Sequence, residues 1–252
     1  MTPQWTLALL AATLIAAAPA QAAHQVPAYV GAAVNDPARP DADKSLDAER
    51  KPAEMIVFAG IKPGMHVMDL IPGKGYFTRI FSAAVGANGF VYAYQPSELD
   101  SFFKGGPAPV VAVAAGYKNV SVIHAPIDAI VAPQSLDVVW TSQNYHDLHD
   151  KFMGPADLAK VDKAVFDALK PGGVFIVLDH AAASGSGLRD TETLHRIDEA
   201  VVKKEVEAAG FKLAGESKVL RNPGDSHTAK VFDPAIRHKT DQFILKFRKP
   251  GK

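Results

Sequence analysis

The stretch VMDLIPGKGYFTRI, positions 67 to 80, constrains the fold of this chain more than any other. An apolar run carries an acid, two glycines follow one residue apart, and a helical pattern begins at once. A strand that turns through glycines into a helix is the opening unit of a parallel α/β sheet. The rest of the chain repeats the theme. Short β-rich runs at His66–Leu70, Phe90–Tyr94, Val120–His124, Leu136–Ser142 and Val174–Asp179 alternate with helical stretches such as Tyr76–Val85 and Asp157–Leu169. In the second of these, Leu158, Val161, Val165, Phe166 and Leu169 share one face. KPGG (170–173) turns the chain into the fifth strand. Two last runs, Lys212–Ser217 and Gln242–Arg248, read as a terminal antiparallel pair. The expectation is an α/β fold with helices on both faces of a mostly parallel sheet.

Ahead of that pattern, SLDAERKPAEMIVFAG (45–60) reads as a helix interrupted at Pro52 and stopped by Gly60. Residues 23–44, rich in Ala, Pro and Asp without periodicity, read as an extended arm or linker, which leaves 45–252 as one domain. Residues 1–22 carry an apolar run from Leu7 to Ala18 and then Ala20-Gln21-Ala22, a small-x-small cleavage pattern. They read as a signal peptide cut after Ala22, so the protein is expected to be exported, into the periplasm. A membrane-spanning helix needs about 20 apolar residues. The run is shorter, and no stable membrane insertion is expected after cleavage. With no Cys, disulfides and thiol attachment of lipid are excluded.

Lys plus Arg equals Asp plus Glu at 27 each. There is no net field to attract a polyanion, which argues against nucleic acid as a partner and in favour of a small molecule.

The loop itself discriminates among cofactors. An ATPase phosphate loop needs GxxxxGK followed by Ser or Thr, whereas here Gly75 follows Lys74. The dinucleotide pattern GxGxxG needs a third small residue, and Thr78 stands there. An acid at the strand end, glycines that allow close backbone approach, and a helix N-terminus suited to a carboxylate are the parts of an S-adenosylmethionine loop. On this reading Asp69 accepts from the methionine ammonium, while Gly73 and Gly75 give the close approach.

Larger blocks point the same way. RKPAEMIVFAGIKPGMHVMDLIPGKGYFT, GFVYAYQPSEL, LDVVWTSQNYHDLHD, LKPGGVFIVLDH and EVEAAGFKL follow one another in order. Together they resemble the class I S-adenosylmethionine-dependent methyltransferases. More narrowly, the PAE, DLxPGxGY, HRID and VFDPAIRxKTDxF signatures resemble a bacterial family of signal-bearing methyltransferase-like proteins, over roughly Ser45 to Pro250. The resemblance implies a Rossmann-like sheet of seven strands with the last antiparallel. It departs from the general class in three places. Ile71 and Pro72 stand where the first loop glycine is usual. Gln95, with Glu98 nearby, replaces the acid that holds the ribose hydroxyls, and Pro126 replaces the acid near adenine, for which Asp128 can substitute.

In such a fold ligands lie beyond the carboxyl ends of the strands, so TSQNYHDLHD after the fourth strand should face the sulfonium and the methyl acceptor. His146 is the candidate general base, Asp147 its orienting partner, and Asn144 a bond to substrate or to the cofactor amine. Tyr145 and Tyr76 are expected to lay ring faces near the sulfonium. His146, Asp147, His149 and Asp150 do not have the spacing of a known metal site, and no metal is assigned. Asp179 and His180 are read as a strand cap, and Asp233, Arg237 and Asp241 as ion-pair braces. The function expected is methyl transfer to a small molecule, with a non-catalytic exported binding protein on a degenerate methyltransferase fold as the alternative.

Overall fold

The computed structural model describes Met1 and residues 26–154 and 156–251. The expected signal segment therefore lies, beyond Met1, outside the described residues. Among the described residues no helix is long and apolar enough to cross a membrane.

The chain opens with four short helices: α1 (Ala28–Val34), α2 (Asp41–Lys44), α3 (Asp47–Arg50) and α4 (Pro52–Ala59). Then come β1 (His66–Leu70), α5 (Tyr76–Val85), β2 (Phe90–Pro96), α6 (Pro109–Ala115), β3 (Val120–Ala125) and β4 (Leu136–Ser142). The second half holds α7 (Leu158–Ala168), β5 (Leu169–His180), α8 (Thr191–Leu194), α9 (Glu199–Ala208), β6 (Lys212–Ser217) and β7 (Gln242–Arg248).

The seven strands form one sheet in the order β3-β2-β1-β4-β5-β7-β6. β1 to β5 pair in parallel, and β7 runs antiparallel to both β5 and β6. The order reverses at β1, whose neighbours are β2 and β4, so a crevice opens beyond the carboxyl ends of those strands. The central strands are buried on both faces. Val67, Met68 and Leu70 of β1 and Val138, Val139 and Trp140 of β4 have almost no exposure, as the continuous apolar runs of a covered parallel sheet require. On one face Phe77 and Phe81 of α5 pack around Trp140, with ring centroids 4.8 and 5.5 Å away. On the other, Val161 and Val165 of α7 and Val202 and Val206 of α9 close the core.

Two expectations need correction. Residues 26–44 are not an extended arm: they carry α1 and α2, and Val30, Ala33 and Arg39 are buried against the domain. Arg39 anchors them, through hydrogen bonds of 2.9 and 2.6 Å from its guanidinium to Asp47 and another to the Val34 carbonyl. Nor do β6 and β7 form a simple hairpin. The chain between them, 218–241, returns over the carboxyl ends of the strands and is pinned by the buried Arg196–Asp225 ion pair, 2.8 Å, and by Asp241 against Arg221 and His227.

Candidate active site

A cleft of about 720 Å³ lies beyond the ends of β1 and β4, large enough for a cofactor and a small acceptor together. It is built by the β1–α5 loop, the stretch after β2, the segment after β4, His180 and His195, and residues from the N-terminal helices and the 218–241 connection.

Asp69 sits at the cofactor end. It pairs with Ala93 of β2 and Trp140 of β4, is 4% exposed, and accepts from the Thr78 hydroxyl at 2.6 Å. Burial raises its pKa to about 7, against the Thr78 hydrogen bonds and the Arg50 charge, which lower it. Gly73 lines the cleft at φ +57, and a Cβ there would meet nothing within 4 Å. The preceding Ile71 is held at φ +60, a left-handed conformation that is rare and costly for a β-branched residue. The neighbouring strand tips support it. Ile71 N–H donates to the Tyr94 carbonyl at 2.9 Å, and the Asn144 amide donates to the Ile71 carbonyl at 3.1 Å. The backbone turn that glycine would normally provide is thus imposed on Ile71 by β2 and the β4 loop.

Gly75 behaves differently from expectation. It caps α5 at φ +75, an added Cβ would lie 3.0 Å from Val113 of α6, and it packs closely there rather than lining the cleft. Tyr76 lines the cleft. Its hydroxyl donates to Asp47 at 2.6 Å, and the Arg50 guanidinium lies 4.6 Å from its ring centroid. Arg50 faces the same cleft and makes no salt bridge among the described residues. Burial pushes its pKa down.

Gln95 ends β2 as expected but is buried. Its amide donates to the Pro96 carbonyl at 3.3 Å, and its oxygen has no partner. Neither it nor Asp128, which is exposed in the turn after β3, is among the residues lining the cleft. Glu98 instead braces that corner by accepting from the Ile127 N–H at 3.0 Å. Leu99, Phe102 and Phe152 supply an apolar wall, with the Phe102 and Phe152 rings edge to face at 5.4 Å.

The segment after β4 splits in two. Tyr145 turns away from the cleft into the core, where its hydroxyl meets Asp162 at 2.9 Å and Glu205 at 3.2 Å. It cannot contact a sulfonium. His146 turns the other way. Its Nδ1 lies 2.8 Å from Asp179 Oδ1, and its Nε2 lies 3.1 Å from Asp147 Oδ1 and 3.2 Å from His195 Nδ1. Burial opposes its protonation, but Asp179 and Asp147 outweigh burial and lift the pKa to about 10. The same contacts hold Asp147 below the usual carboxylate range despite burial. Nε2, the nitrogen a general base would use, is thus held by Asp147 and His195. His180, by contrast, is kept neutral by burial, with its pKa near 3 and its Nδ1 2.8 Å from Thr240.

Sequence reasoning missed Arg50, His195 and Asp179 as site residues. His195 belongs to the HRID signature, the one signal that marked it. Phe232, from the late signature, packs against His195 with ring centroids 4.9 Å apart and is 55% exposed at the cleft.

Comparison with known proteins follows from this geometry. No family model matches the sequence. The ubiquinone/menaquinone biosynthesis C-methyltransferase UbiE of Cronobacter sakazakii is 28% identical over 180 residues, covering 69% of this chain and 66% of that protein. The chain thus spans about two thirds of the length of this curated relative. A SAM-dependent methyltransferase from Aquifex aeolicus superposes with a TM-score of 0.56 at 20% identity, over 84% of this chain and 98% of that one. The cyclase SpnF superposes with a TM-score of 0.55 at 19% identity, over 84% and 82%. The chain has the Rossmann-like class I methyltransferase fold, and the SpnF likeness is a reminder that the fold alone does not fix the reaction.

Proposed function

We propose that this protein is an S-adenosylmethionine-dependent methyltransferase acting on a small molecule. The observation that carries this reading is the placement of Asp69 and Gly73 together at the switch point of the sheet, on the wall of a cleft of about 720 Å³. On this reading Asp69 takes the methionine ammonium and Arg50, which lines the same cleft, the methionine carboxylate, a charge-assisted pairing at each end of the amino-acid moiety. Gly73 leaves room for close backbone approach. The similarity to UbiE, a methyltransferase by name, supports the reading, and the apolar wall of Leu99, Phe102 and Phe152 with Phe232 opposite suits a largely apolar acceptor.

S-adenosylmethionine bound in the cleft would supply an electrophilic methyl group to a nucleophilic atom of the acceptor, with the neutral thioether as leaving group. Holding acceptor and methyl in line contributes most, up to about 7–11 kcal/mol in favourable cases. His146, held by Asp179, fixes Asp147 and His195 on the cleft wall. Export to the periplasm is part of the proposal and rests on the N-terminal sequence pattern. The experiment is thermal unfolding of the mature protein with and without S-adenosylmethionine. Ligand at a hundred times Kd should stabilise by about 2.7 kcal/mol, and no shift at millimolar ligand would remove the reading.

A further inference from the structure

The side chains of His146, Asp147 and His195 converge from two distant parts of the chain, and their nearest nitrogen and oxygen atoms all lie within 4.8 Å of one another. The edges of that triangle are 3.1 Å from His146 Nε2 to Asp147 Oδ1, 3.2 Å from His146 Nε2 to His195 Nδ1, and 3.6 Å from His195 Nδ1 to Asp147 Oδ1. The centre of a triangle with these edges is about 1.9 Å from each corner, slightly inside the Zn–N and Zn–O lengths of about 2.0–2.2 Å. An ion just above the plane would reach all three atoms at bonding distance with the side chains where they are.

We infer that His146, His195 and Asp147 bind a divalent transition-metal ion of the zinc class, with an open coordination position toward the cleft.

Two further observations fit this site. Asp179, with no exposure, holds His146 Nδ1 at 2.8 Å and the His146 backbone N–H at 2.8 Å. That is the carboxylate–histidine arrangement which fixes ring orientation at metal sites and leaves Nε2 as the ligand atom. The donor set of two imidazoles and one carboxylate suits zinc and its neighbours rather than magnesium or calcium.

All three ligands line the cleft that Asp69 and Gly73 share. A three-ligand site with a free position is the catalytic rather than the structural pattern. Resting on the methyl-transfer reading, the ion's role would be to bind an oxygen of the acceptor and favour its deprotonated form. The acceptor class is then a molecule with an ionisable oxygen at or next to the methylated atom.

The test is zinc binding by the untagged mature protein after chelator treatment, measured by calorimetry with metal analysis. We expect one ion per chain, with affinity lost by at least a hundredfold in His195→Ala and in Asp147→Asn, and retained in His149→Ala. Asp179→Asn should weaken binding about 10- to 100-fold. His195 is partly exposed, so its variant should stay folded, as circular dichroism would check. No stoichiometric zinc binding, or equal binding by wild type and His195→Ala, would overturn the site. S-adenosylhomocysteine binding read on the same samples is independent. Its failure counts against methyl transfer and leaves the metal site standing.

Discussion

One carboxylate oxygen of Asp179 lies 2.8 Å from His146 Nδ1 while the other accepts the His146 backbone N–H at 2.8 Å. The pair is buried and ties the end of β5 to the loop after β4. Removing the imidazole would leave Asp179 without its main partner. His146→Ala should therefore cost about 3–5 kcal/mol of stability. The folded pKa near 10 lies above the unfolded value of about 6.5. The stabilisation is then complete below about pH 6.5 and lost as pH rises toward 10. Denaturant unfolding of chelator-treated protein at pH 7 and 9.5 should show wild type losing stability, with His146→Gln losing less. Equal slopes for the two would contradict the ion pair.

Tyr145 gives the opposite signature from a site residue. Tyr145→Phe removes hydrogen bonds to Asp162 and Glu205 inside the core, so melting should report a loss of about 1–3 kcal/mol. Affinity for S-adenosylhomocysteine should be unchanged. A variant of native stability with weakened binding would show that Tyr145 faces the cofactor after all.

The alternation of strands and helices was legible because covered parallel strands are continuous apolar runs, and all five expected parallel strands are present. Asp69, Gly73 and Tyr76 were legible because one short loop carries them. α3 and α4 were legible through the Pro52 break and the Gly60 stop, but α1 and α2 were not. They are seven and four residues, too short for clear periodicity, and what holds the region is Arg39 reaching Asp47 eight residues on. The His146 cluster was half visible. His146 and Asp147 are adjacent, but Asp179 is 33 residues away and His195 is 49, and only the fold of β4 against β5 brings them together. Tyr145 shows the limit of a loop reading: adjacent residues can face opposite sides, and sequence does not say which.

The two loop glycines should separate stability from binding. A side chain at Gly75 would sit against Val113 at 3.0–3.1 Å in a left-handed backbone, so Gly75→Val should destabilise by about 1–3 kcal/mol or more. Gly73 has no such neighbour. Gly73→Ala should cost about 1–2 kcal/mol of backbone strain and in addition weaken S-adenosylhomocysteine. Parallel melting and binding curves decide this, and a Gly75→Val protein as stable as wild type would refute the packing role.

Arg50 stacks on Tyr76 at 4.6 Å and faces the cleft without a salt bridge among the described residues. As partner of the ligand carboxylate it should contribute about 1.5–3 kcal/mol. Arg50→Ala should weaken S-adenosylhomocysteine roughly 10- to 100-fold, and adenosine, which lacks the carboxylate, hardly at all. Equal losses for both ligands would place Arg50 elsewhere in the site.

The central claim rests on Asp69 and is tested most directly by calorimetry of S-adenosylhomocysteine against wild type and Asp69→Ala between pH 5.5 and 8. With the Asp69 pKa near 7 and the ionised form binding the ligand ammonium, wild-type affinity should fall as pH drops through 7, approaching tenfold per unit well below it. Asp69→Ala should bind weakly and without that pH dependence. No heat from wild type at millimolar ligand, or identical curves for wild type and Asp69→Ala, would contradict the assignment of this cleft to S-adenosylmethionine.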